Sequence, residues 1–167
     1  MSPFRPDIVA VWIYRVPDPR RPDALEILLV RRAPGRELAG LWQCVTGSIE
    51  PGERIALAAL RELGEETGIA GEAIEAFYDL DLVISFHWPV ADAVLSEVVF
   101  AVRVASGTEP ILSAEHDALR WVDPAEAARL TVWPSYRDSI ERIMTILSDP
   151  ERAPWLETGL DGRRVIG

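Results

Sequence analysis

The sequence predicts an α/β protein. Short runs rich in β-branched and aromatic residues recur along the chain. Separate segments carry the 3.6-residue period of helices, and clusters of proline and glycine punctuate the two. Asp7–Tyr14 (DIVAVWIY) reads as a strand. The Pro17–Asp23 stretch is a turn-forming interruption, after which Leu25–Arg32 (LEILLVRR) reads as a second strand paired with the first as a hairpin. Pro34-Gly35 breaks that run, and Leu41–Thr46 is a short strand leading into Gly47. Residues 53–67 have a helical period, preceded by the turn Pro51-Gly52 and ended by Gly68, where a helix-terminating glycine belongs. Leu80–Phe86 and Glu97–Val104 are further strands, with His87, Trp88 and Pro89 in the loop between them. Leu119–Val122 is another strand. Asp123-Pro124 caps a helix over 125–130, and 134–147 is a second helix with Ile140, Ile143, Met144 and Leu147 on one face. Residues 1–150 are expected to form one domain, with 151–167 a C-terminal tail able to dock on it.

Composition narrows the function. Seventeen basic against 27 acidic side chains give a formal charge of −10, which argues against broad nucleic-acid binding. A phosphate-rich substrate would be repelled too, unless arginines or a bound metal concentrated positive charge locally. No apolar run approaches the ~20 residues of a membrane helix. The Met1–Pro6 segment lacks a secretory apolar stretch, and Cys44 is the only cysteine, so a reducing cytoplasm is expected.

The chemistry concentrates on the helix after Gly47. At about 100° per residue, Glu62, Glu65 and Glu66 share one narrow arc. Ala56, Ala59, Leu60 and Leu63 form a neighbouring stripe able to pack on a sheet. Like charges four apart, as in Glu62 and Glu66, cost an isolated helix a few tenths of a kcal/mol, roughly. A hard divalent cation such as Mg²⁺ reverses that sign through carboxylate oxygens. An adjacent glutamate pair alone reads more simply as a solvated acidic face.

The surrounding residues change this. Gly47-x5-Glu53-x7-Arg61-Glu62-Leu63-x-Glu65-Glu66-x-Gly68-Ile69 resembles the Nudix signature with no departure. The resemblance implies a Nudix fold, an α/β/α sandwich with a mixed β-sheet, and hydrolysis of a pyrophosphate linkage. It implies Glu62, Glu65 and Glu66 as metal ligands for Mg²⁺, with Mn²⁺ as a substitute. The carbonyl of Gly47 or Thr46 would assist, and Glu53, Arg61 and Gly68 would support the motif. Ala114-Glu115-His116-Asp117-Ala118-Leu119-Arg120-Trp121 resembles the family's late E-H-x-x-x-x-W segment, making Glu115 a further metal ligand. The general base is then either Glu62 or Glu115, and His116 reads as a loop residue capping local backbone.

Leu41-Trp42-Gln43-Cys44-Val45-Thr46-Gly47 and the late segment are similar to bacterial dihydroneopterin triphosphate and dATP pyrophosphohydrolases. Arg31, Thr46 and Trp42 are the candidate substrate contacts. Ile84-Ser85 stand where ADP-ribose pyrophosphatases carry a proline, and Phe86-His87 where dinucleoside polyphosphate hydrolases carry a tyrosine. The segment 85–92 has no Lys or Arg, unlike the pterin enzymes. The expected reaction releases pyrophosphate and a monophosphate from dATP, another nucleoside triphosphate or dihydroneopterin triphosphate. Alternatives are a hydrolase of dinucleoside polyphosphates or nucleotide sugars, and a silent nucleotide-binding module. The small-molecule substrate is the expected partner, and the resemblance leaves a homodimer open.

Overall fold

A computed structural model describes residues 5–166. Residues 1–4 and 167, which belong to the N-terminal and tail readings above, lie outside the described residues. Among the described residues seven strands form one sheet: β1 Ile8–Arg15, β2 Glu26–Arg32, β3 Trp42–Gln43, β4 Val45–Ser48, β5 Ile74–Trp88, β6 Ala93–Val104 and β7 His116–Val122. β1 runs parallel to β6 and antiparallel to β2 and β4, so the sheet is mixed. β1 and β2 pair antiparallel, with Ile13 opposite Leu28.

Helices cover both faces, which explains why β1 lacks a polar alternation. Val9, Val11 and Ile13 pack toward Ala58, Ala59 and Leu63 of α1, Ile55–Thr67. Ala10, Trp12 and Tyr14 pack the other way. They meet Ala127 of α2 (Pro124–Leu130), Tyr136 and Ile140 of α3 (Pro134–Arg142), and Ala153 of α4 (Ala153–Leu156). The result is the α/β/α Nudix fold.

Several bounds differ from the sequence reading. β5 and β6 extend past the predicted ends into a hairpin ribbon, so His87 and Trp88 are strand residues and only Pro89–Asp92 turn. The proline masked this, because a turn residue beside Trp88 reads as a loop that has already begun. Asp92 takes φ +46 to close the hairpin. A break in register between Asp79 and Val83 bends β5, and Arg142 Nη1 holds it by donating to the carbonyls of Leu80 and Asp81, each at 2.8 Å. Helix α3 passes into a π-helical turn over Ile143–Leu147. In the tail, Thr158 N–H donates to Phe77 O at 2.8 Å, and Arg54 donates to the carbonyls of Asp161 and Gly162.

Among the described residues two carboxylates are buried, Glu66 and Glu97. Glu97 lies on β6 between Ile8 and Ile84, and burial pushes its pKa from 4.5 to about 7. The folded chain therefore holds this proton more tightly than the unfolded chain does. Stability is lost as pH rises from 4.5 through 7, by about 3 kcal/mol at most. Glu97→Gln is expected to gain stability at pH 8 and none at pH 4. Urea melts at the two pH values check this, and an equal gain at both would contradict it.

Candidate active site

The end of β4 and one flank of α1 build the site. Gly47 pairs with Val9 and faces α1 so closely that a Cβ there would collide with the Glu62 carboxylate. Glycine is needed here for close approach. α1 ends at Gly68, which adopts φ +69 and donates its N–H to Gly64 O at 2.9 Å, the left-handed cap that halts the helix after the last glutamate.

Arg61 ties the loop to the helix. Its guanidinium holds Glu53 through Nε–Oε1 at 2.8 Å and Nη2–Oε2 at 3.0 Å, and Nη2 also donates to Ser48 O at 2.9 Å. Nη1 reaches Glu62 Oε1 at 2.7 Å and Glu65 Oε2 at 3.2 Å. Glu53 Oε2 also accepts the Glu50 N–H, and these partners, Arg61 first, hold its pKa down at about 2. A lysine cannot reproduce this planar fork. Arg61→Lys is therefore expected to lower kcat/KM by roughly 10- to 100-fold, with a small fall in Tm. Kinetics beside a thermal melt check it, and unchanged kinetics would count against the brace.

Glu66 is the most enclosed of the three helix acids, 4 % exposed, and its Oε2 is sealed without a hydrogen-bond partner. Burial first, then the charges of Glu115 and Glu62, raise its pKa to about 8, while Arg32 opposes the rise. Burial also raises the pKa of Glu62 despite Arg61. The side chain of Glu65 is 60 % exposed. The segment before β7 supplies the cover: Ser113 N–H donates to Glu66 O at 3.0 Å and Ile111 N–H to Thr67 O at 2.8 Å. Glu115 arrives with it, anchored by the Ala33 N–H on its carbonyl at 2.9 Å. Hard oxygen donors gathered closely enough to raise the pKa of Glu66 and Glu62, with Glu66 buried, suit a divalent cation. Among the described residues no three His, Cys, Asp or Glu side chains form a closed cage, as Arg61 draws Glu62 and Glu65 toward itself.

The predicted substrate contacts do not gather at these acids. Arg31 pairs with Asp117 at 2.8 Å, and its guanidinium lies 5.6 Å from the Trp42 ring centre, with that of Arg120 at 5.0 Å. Ile27 and Leu29 pack on the sheet face away from α1, whereas Leu28 and Val30 pack toward it. By that alternation Arg31 belongs with the first pair and Arg32 with the second. Arg32 Nη1 accordingly lies 3.8 Å from Glu115 Oε2. Sequence reasoning missed Arg32, though strand alternation carried the signal. Thr46 Oγ1 accepts from Gln43 Nε2 at 3.2 Å. His116 caps no backbone: both ring nitrogens are buried without partners, and burial lowers its pKa.

The NUDIX domain model matches residues 6–143. The chain belongs to the Nudix family. This Nudix chain is 36% identical over 140 residues to an octanoyltransferase of Myxococcus xanthus, a match covering 84% of the chain but only 36% of that protein. It is 33% identical over 121 residues to the CTP pyrophosphohydrolase of Escherichia coli (strain K12), covering 72% and 84%. It is 30% identical over 154 residues to the dihydroneopterin triphosphate diphosphatase of the same organism, covering 84% and 93%. The structure of the E. coli dihydroneopterin triphosphate pyrophosphohydrolase superposes with a TM-score of 0.69 at 29% identity, covering 84% and 95%. The chain is thus a Nudix pyrophosphohydrolase.

Proposed function

We propose that this Nudix enzyme is Mg²⁺-dependent and splits a nucleoside triphosphate or dihydroneopterin triphosphate into pyrophosphate and the monophosphate. The observation that carries the reading is the buried Glu66 carboxylate, placed where Glu62 and Glu115 add their charge and Gly47 leaves room for Glu62. Glu62, Glu65, Glu66 and Glu115, with the Gly47 carbonyl, would hold the metal. Mg²⁺ would supply charge neutralisation on the phosphate oxygens and acidify the attacking water.

The chain's own residues then divide the work. Glu115, 42 % exposed against 12 % for Glu62 and free of the Arg61 contact that occupies Glu62, is assigned to take the proton from water. Arg32, beside Glu115, would bind a phosphate oxygen. Arg31, Trp42 and Arg120 offer a stacking and cationic surface for the rest of the substrate on the far side of β2.

A substrate panel with Mg²⁺, read by phosphorus NMR, tests this. It includes dATP, CTP, dihydroneopterin triphosphate, a dinucleoside polyphosphate, a nucleotide sugar and a 5′-triphosphorylated RNA, which all carry the same type of linkage. Release of pyrophosphate from a mononucleoside or pterin triphosphate is expected. Turnover of none would sink the reading, and preference for the dinucleotide, sugar nucleotide or RNA would replace the substrate class.

A further inference from the structure

His116 opens β7 opposite Arg32. Its side chain has no solvent exposure, and neither Nδ1 nor Nε2 has a hydrogen-bond partner. Glu66 Oε2 is sealed and unpartnered as well, and it lies 3.6 Å from His116 Nδ1. A buried polar group left unsatisfied is destabilising, so two such atoms facing each other carry a shared penalty that one contact removes. Their separation exceeds an ordinary N–H···O bond by a few tenths of an ångström, roughly, within reach of a small side-chain rotation.

We propose that His116 is a positioning residue: its Nδ1–H holds Glu66 Oε2 and thereby fixes how the other carboxylate oxygen is presented to the metal. This rests on the reading of Glu66 as a ligand. The physical need is specific, because Mg²⁺ demands near-octahedral directions and a carboxylate swivels about its last torsion unless one oxygen is held. His116 is suited to that task because it enters from the opposite wall, on β7 rather than α1. The 111–116 segment that covers Glu66 thus also sets its direction.

The test uses the full chain stripped of metal, with Mn²⁺ binding followed by electron paramagnetic resonance and kcat and KM measured separately. His116→Phe is expected to weaken Mn²⁺ by about 10- to 100-fold and to lower kcat more than it raises KM. His116→Asn, whose amide nitrogen sits near the Nδ1 position, is expected to recover most of the loss, and His116→Gln much less. Glu66→Gln is the control for the underlying reading: wild-type Mn²⁺ affinity there would remove Glu66 as a ligand. If Glu66→Gln weakens Mn²⁺ but His116→Phe does not, positioning by His116 is overturned. Should the Phe variant fail to fold, the comparison of Asn with Gln decides, and equal affinity for the two overturns the proposal.

Discussion

Glu66→Gln is expected to cut kcat by about 100- to 1,000-fold while leaving the fold intact, the scale of losing one preorganised charge at a reacting centre. The substitution keeps size and shape but removes the charge that burial, Glu115 and Glu62 make costly. A second effect follows from the same pKa. With the folded value at about 8 and the ordinary value at 4.5, the metal-free protein loses stability as pH rises through that window. The Gln variant escapes this loss. In chelator at pH 9 it is expected to melt higher than the wild type, and at pH 4 the two are expected to melt together. A group that harms the apo fold yet is required for turnover marks a site built for something other than stability. Full activity in the variant would remove Glu66 from the machinery.

Gly47→Ala is expected to lower kcat/KM by a comparable 100-fold, roughly, at little cost in stability. The added Cβ collides with the Glu62 carboxylate, the far end of a flexible side chain that can swing away. Gly47 is not among the positive-φ residues, so alanine meets no backbone strain there. The fold therefore survives while Glu62 leaves its place. Melting and activity measured on the same preparation check this. A large fall in Tm with proportionate loss of activity would instead make Gly47 a structural residue.

The two substitutions also show how much of the site could be read from the sequence. Glu62, Glu65 and Glu66 were legible as a cluster because helical period is a local property, and Gly47, Glu53 and Arg61 followed from spacing within one motif. The strands β1 and β2 and their pairing were legible for the same reason. The extent of the β5–β6 ribbon was not, since the hairpin closes only at Pro89–Asp92 and pairs Trp88 with Ala93 past their local turn signals. Arg32 was missed although strand alternation separates it from Arg31, because which face meets the acids is settled only when β2 is placed between two helical layers.

By itself the sequence determined the family and which acids share one flank of a helix, since both reside in one contiguous loop and helix. Tertiary structure alone decided how those acids differ. Glu66 is sealed because the distant 111–116 segment closes over it, Glu65 remains open, and Arg61 holds Glu62. It also turned His116 toward Glu66, placed Arg32 beside Glu115 and buried Glu97. Burial and pairing depend on which remote segment lies against a side chain, and local periodicity holds no record of that.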